Sequence, residues 1–203
     1  MAALFLGPRL GRFRKKGNKV PLGNPTNALH GLILLWWGWL GYSAGSSFGV
    51  SNQKWKYSAR ASVVTALASM GGGAFGMVWS AFTRSGLQDI EMLIDSILAS
   101  LVAISGGALI IRPIYSLIIG VIAAFLSLVT VPLLQKLHID DPTNSFAVHA
   151  VPGAWGLISI GLFAGRSHNY FIKTNFILPI HCARNGRHFE LSICVEVWTE
   201  LVR

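Results

Sequence analysis

Residues 114–134 read IYSLIIGVIAAFLSLVTVPLL, a run without a single charged side chain. A helix rises about 1.5 Å per residue and the hydrocarbon core of a bilayer is about 30 Å thick, so about 20 such residues cross it. Working outward, four more windows meet that requirement: 27–50, 61–82, 90–111 and 145–164. The breaker-rich Pro21-Leu22-Gly23-Asn24-Pro25 introduces the first, and polar residues 51–60 separate it from the second. Residues 83–89 form a short link to the third. Arg112-Pro113 divides the third from the fourth, because proline disfavours helix at the residue before it. Residues 136–144 precede the fifth. The expected fold is an all-α polytopic membrane protein with about five transmembrane helices.

Composition points the same way. Of 203 residues, 52% are hydrophobic and 12% charged, about half the charged fraction of a soluble domain. Disorder is excluded for most of the chain, since disordered segments are poor in apolar residues and rich in charge. Two cysteines, Cys182 and Cys194, are too few for a disulfide framework.

The formal net charge of +9 is unevenly spread: Arg9, Arg12, Arg14, Lys15, Lys16 and Lys19 fall within residues 1–23, which hold no acid. A nucleic-acid binder would set basic residues along a folded polar face. Here they abut a long apolar window and read as a cytoplasmic loop, so no nucleic-acid partner is expected. Residues 1–6 are too few for a signal-peptide core, and the positive charges follow them, so no cleavable signal is expected. Alternating the loops adds Arg84 and Lys136 to the inner side, giving eight basic residues there. The outer side has four, Lys54, Lys56, Arg60 and Arg112. Trp55 and Tyr57 suit the outer interface. Gly41, Ala44 and Gly45, Gly71-Gly72-Gly73 and Gly106-Gly107-Ala108 let helix backbones approach closely, as in a tight bundle. The expected organisation is a basic cytoplasmic loop over 1–26, a membrane domain over 27–165, and an irregular tail over 166–203. That tail is interrupted by Pro179 and has no stretch of spanning length.

Few residues in these windows can carry chemistry. His149 lies a little over one turn into the fifth window. An intramembrane ionisable group is costly and faces the bundle interior or a cavity. Desolvation would keep the imidazole neutral, with one ring nitrogen donating and the other accepting, able to pass a proton or hold a small polar solute. Asp140-Asp141-Pro142 reads as the start of that helix, with an aspartate near the cap and Pro142 in the first turn. In the first window Trp39, Tyr42 and Ser46 fall at i, i+3 and i+7 and share one face. That face lines a narrow apolar pore or packs against neighbouring helices, and spacing alone does not choose. No Gly-rich phosphate loop, clustered Cys/His spacing or nucleophile elbow occurs, so neither a cofactor nor a metal is expected. His168, His181 and His188 are scattered in the tail.

These motifs resemble the ammonium transporters of the Amt/Rh family. Residues 37–46, Trp37-Gly38-Trp39-Leu40-Gly41-Tyr42-Ser43-Ala44-Gly45-Ser46, are similar to that family's W-G-W-x-G-F-N-A-G-S segment. Asp140-Asp141-Pro142 through Val148-His149 resembles its D-D-P-x5-V-H-G segment, followed by Gly153-Ala154-Trp155-Gly156 and Gly161-Leu162-Phe163-Ala164. Gly7-Pro8-Arg9-Leu10-Gly11-Arg12-Phe13 looks like the loop that enters this half of the fold. The resemblance covers roughly residues 4–165. It implies an eleven-span fold assembled as a homotrimer in the plasma membrane, with this chain as spans six to ten. It further implies that His149 is the second of two pore histidines, Tyr42 a gate aromatic, Trp39 a pore-lining ring and Ser46 the hydroxyl of an outer ammonium site.

A bare ammonium ion would lose its hydration in an apolar channel at large cost. A pore that strips the proton and passes neutral ammonia avoids most of that cost, and potassium has no proton to give up. Three positions depart from the family pattern: Tyr42 for phenylalanine, Ser43 for asparagine and Ala150 for glycine. The first pore histidine, an outer gate phenylalanine, a structural aspartate and an eleventh span are expected outside this chain, which therefore reads as a fragment of a transporter. Two other readings stand beside it: a non-transporting membrane subunit or decayed gene product that joins full-length relatives, and an intramembrane enzyme using His149 with Asp141 or a serine.

Overall fold

A computed structural model describes residues 5–10, 12–13, 23–48, 54–83 and 89–163. Residues Arg14, Lys15, Lys16, Lys19 and Arg84 and the expected tail, with its cysteines and three histidines, lie outside the described residues. The chain divides into two compact units, Met1–Ala164 and Gly165–Arg203, and only the first is described.

Its described residues form a bundle of five helices, with no strand among them. Helix α1 (Pro25–Gly45) starts where the Asn24 side chain accepts a hydrogen bond from the Asn27 amide at 3.1 Å, with Pro25 in the first turn. Helix α2 (Lys54–Thr83) runs for 30 residues. Helix α3 (Ile90–Ser105) is capped by Asp89, whose carboxylate accepts from the Glu91 amide at 3.1 Å. Extended backbone at Arg112, held there by Pro113, opens helix α4 (Pro113–Lys136). Helix α5 (Phe146–Phe163) begins with a wide π turn over Phe146–Ala150.

Helices α2, α4 and α5 are long and apolar enough to cross a membrane. Helix α1 has the length, 21 residues, with an apolar run interrupted by Gly, Tyr and Ser. Two boundaries differ from expectation. The polar stretch before the second window is helical from Lys54, because it contains no glycine or proline to stop α2. The third window stops being helical at Ser105, and residues 106–111 form tight turns, with the Gly107 carbonyl accepting from the Ile110 and Ile111 amides at 3.0 and 2.9 Å. Gly106 and Gly107 leave room for close neighbours there: a Cβ on Gly107 would collide with the Ile111 side chain, and one on Gly106 would sit 3.1 Å from Ile160 Cδ1.

Helix α2 packs against α1, α3 and α4, and α5 packs against α3 and α4. The approaches are close enough to require glycine. A Cβ on Gly72 would sit 2.6 Å from the Ser100 Cβ, and one on Gly156 would sit 2.5 Å from the Ala103 carbonyl oxygen. The bundle's outer surface is apolar, with Ile33, Leu34, Phe82, Ile118, Val129 and Leu162 exposed. A water-facing bundle rarely presents so much hydrocarbon, whereas lipid accepts it.

Candidate functional site

The last two turns of α1 carry the aromatic face. The Trp39 indole Nε1 donates to Ser105 Oγ at 2.8 Å, and that hydroxyl donates in turn to the Leu101 carbonyl at 2.6 Å. The Trp39 ring meets Tyr42 edge to face, centroids 6.4 Å apart at 74°, the arrangement favoured by ring quadrupoles. Trp36, on the neighbouring side of α1, donates to Ser69 Oγ of α2 at 2.8 Å. Two indoles therefore pin α1 to two different helices. Tyr42 is exposed, while Ser43 beside it is buried. Ser46 lies one residue past the end of α1 but keeps helical backbone, so it stays in line with Trp39 and Tyr42. Its hydroxyl donates to the Ser43 carbonyl at 2.6 Å.

His149 lies within the π turn that opens α5. The Val151 amide donates to the Phe146 carbonyl, five residues back. Pro152 follows and has no N–H to offer the Val148 carbonyl, which loosens the ladder at this turn. Ala147 and Val148 are buried against the bundle, while His149 and Ala150 are exposed. The expectation of a desolvated imidazole is therefore not met within the described residues: the turn that buries Ala147 and Val148 presents His149 on the other side. Helix α5 and Trp39 share a support, the C-terminal half of α3. Gly156 packs on the Ala103 carbonyl, and Trp39 bonds Ser105 two residues further on.

The opposite end of the bundle holds the Asp140-Asp141-Pro142 motif. Asp140 is buried and receives Arg9 through three bonds. Nε and Nη2 lie 2.6 and 2.9 Å from its two oxygens, and the Arg9 amide donates at 3.1 Å. Arg12 Nε lies 3.4 Å from the same carboxylate. Hydrogen bonding from the Arg9 guanidinium outweighs burial and holds the Asp140 carboxyl at about 2, below its ordinary 3.8. Phe13 packs edge-on against His138 at 5.0 Å, closing the same junction. Asp141 accepts from the Phe146 amide at 2.8 Å and so caps α5. Pro142 differs from expectation: it lies in a turn ahead of the helix. Asn144 takes a left-handed φ of 51°, so helical backbone begins only after it.

Three participants were not singled out from the sequence as site residues. Asp95, buried in α3, accepts from Asn144 Nδ2 at 2.7 Å. Ser105 holds Trp39, and Arg9, part of both the basic loop and the motif that enters this half of the fold, is the main partner of Asp140. An acid inside an apolar window was a visible signal for Asp95; nothing local distinguishes Ser105. Among the described residues no group of three His, Cys, Asp or Glu side chains is placed to hold a metal ion. The intramembrane-enzyme reading needs His149 bonded to Asp141 or a serine. Among the described residues, the Asp141 bond goes to the Phe146 amide, and serine hydroxyls donate mainly to backbone carbonyls.

Comparison with known proteins decides the family. A family profile described as Ammonium Transporter Family matches residues 1–199. The chain belongs to the ammonium transporter family. Its match extends past residue 165, where the recognisable motifs give out. Over 163 residues the chain is 41% identical to a Caenorhabditis elegans protein provisionally named ammonium transporter 3, covering 80% of this chain and 23% of that protein. A solved structure titled Sensor Amt Protein superposes with a TM-score of 0.75 at 30% identity, covering 82% of this chain and 40% of that one. Mep2 from Candida albicans superposes with a TM-score of 0.72 at 32% identity, covering 80% and 35%. The chain thus spans less than half the length of these ammonium transporter relatives. Their fold and this chain's apolar helices make it a membrane protein.

Proposed function

We propose that this chain forms one wall of an ammonium-conducting pore in a multi-pass transporter of the plasma membrane. The observation that carries this reading is the chemistry of α5, where His149 is the only ionisable side chain, in a chain of the ammonium transporter family. Ser46 and Tyr42 at the outer end of α1 receive ammonium, where cation–π attraction and a hydroxyl replace part of its hydration. Trp39 narrows the passage below them. Ammonium gives up its proton there, neutral ammonia crosses the apolar stretch, and His149 takes part in carrying the proton separately. The exposed side of His149 is covered by a further part of the transporter fold, so that the imidazole faces the pore and not lipid. Asp140, Asp141 and Pro142 build the junction that starts α5 and do not touch the solute. Three subunits assemble, each with its own pore.

The test is ammonium uptake by the full transporter in cells lacking their own. Uptake that saturates with ammonium and falls about tenfold or more in His149→Ala, with unchanged membrane abundance, supports the reading. Wild-type uptake no higher than in empty cells overturns it.

A further inference from the structure

We infer that Asp95 is a positioning residue for His149: by accepting a hydrogen bond from Asn144, its carboxylate fixes the junction at which α5 begins. Asp95 lies in the second turn of α3 and is buried. The serines that follow on α3 bond within their own helix, Ser96 to the Met92 carbonyl and Ser100 to the Ile97 carbonyl. Asp95 instead reaches across to Asn144 Nδ2 at 2.7 Å. A buried carboxylate is costly unless it is paired or hydrogen-bonded, so this contact is under strong energetic constraint.

Asn144 is the pivot. Its left-handed φ of 51° turns the chain out of the preceding loop. Its amide donates to the Asp141 carbonyl at 3.3 Å, and its own carbonyl accepts from the Val148 amide at 2.9 Å. The side chain of this residue is therefore held by α3 while its main chain holds the turn that carries His149. One residue of slippage at that turn rotates every following side chain by about 100°, enough to carry an imidazole from one face to another. The same helix, at Ser105, holds the Trp39 indole. Helix α3 is thus the common reference for both side chains.

This inference rests on the proposed role of His149 for its functional consequence, but not for its structural one. In the full transporter, Asp95→Leu removes the acceptor, Asp95→Asn keeps an oxygen at the same reach, and Asp95→Ser is too short to bridge yet bonds its own helix as its neighbours do. Amide hydrogen exchange over residues 144–150 and ammonium uptake are both measured. The expected result is about tenfold faster exchange at Val148 and His149 in Asp95→Leu and Asp95→Ser, and near wild-type exchange in Asp95→Asn. Uptake is expected to lose kcat by about tenfold in the first two, with KM changed by less than about twofold, and to recover in Asp95→Asn. Unchanged exchange in Asp95→Ser, or an Asp95→Asn variant as impaired as Asp95→Leu, overturns the inference. A wild type that moves no ammonium while Asp95→Ser still loosens residues 144–150 removes the proposed function and leaves the positioning role standing.

Discussion

Replacing Gly120 by alanine probes how closely α2 and α4 approach. A Cβ at this position falls on the Ala68 carbonyl oxygen, 2.9 Å from the carbonyl carbon and 3.0 Å from the Ala68 Cα. Carbon atoms in favourable contact are about 3.5–4.0 Å apart. All three clashing atoms are main chain, so no rotamer change relieves them, and one helix must shift against the other. Ile119, Ala123 and Ala124 beside the contact are fully buried and resist that shift. Overpacking costs about 1–3 kcal/mol, and a clash with backbone belongs at or above the upper end; better helix propensity returns about 1 kcal/mol. The net expectation is a loss of about 2 kcal/mol, or about 2–3 °C in the unfolding midpoint of the full transporter. Gly73→Ala is the control, because its Cβ meets only Ile97 side-chain carbons at 3.1 and 3.4 Å, leaving stability within about 0.5 kcal/mol of wild type. Thermal unfolding of both variants of the full transporter in nanodiscs, followed by tryptophan fluorescence, compares them directly. Equal midpoints for the two would refute the close-approach reasoning.

Because Arg9 holds the Asp140 carboxyl at about 2 against 3.8, its contribution to stability is complete above pH 3.8 and disappears as pH falls through about 2. Acid unfolding should lose that dependence in Asp140→Asn. Ser105→Ala strands the Trp39 indole N–H, costing about 1 kcal/mol and shifting tryptophan emission, while Ser105→Thr retains both properties. Asp141→Ala removes the acceptor for the Phe146 amide and lowers thermal stability by about 1 kcal/mol; no change in midpoint would show that α5 needs no cap there.

Much of the architecture could be read along the chain, because spans and breakers are local signals. The uncharged run 114–134 and Arg112-Pro113 mark α4 almost to the residue. The end of α3 was less legible: residues 106–111 are as apolar as the helix before them, and only the three-dimensional turn at Gly107 separates them. At the candidate site, Trp39, Tyr42 and His149 were visible as side-chain types at telling positions. Their settings were not, since each depends on partners distant in sequence. Arg9 and Asp140 are 131 residues apart, Asp95 and Asn144 49, and Trp39 and Ser105 66. Composition shows that an acid at 95 needs a partner; it does not say which of many polar residues supplies it. The outward setting of His149 likewise follows from the π turn that Asp141, Asn144 and Pro152 jointly impose.

The proposed pore, to which this chain contributes one wall, passes ammonia and refuses ions without a removable proton. Its most direct test is flux into proteoliposomes containing the full transporter purified as it assembles. The expected result is an ammonium-driven internal pH or current signal well above that of empty liposomes, no signal with potassium at the same concentration, and loss of that discrimination or of the signal in His149→Ala. Potassium flux equal to ammonium flux, or ammonium flux equal to that of empty liposomes, would contradict it.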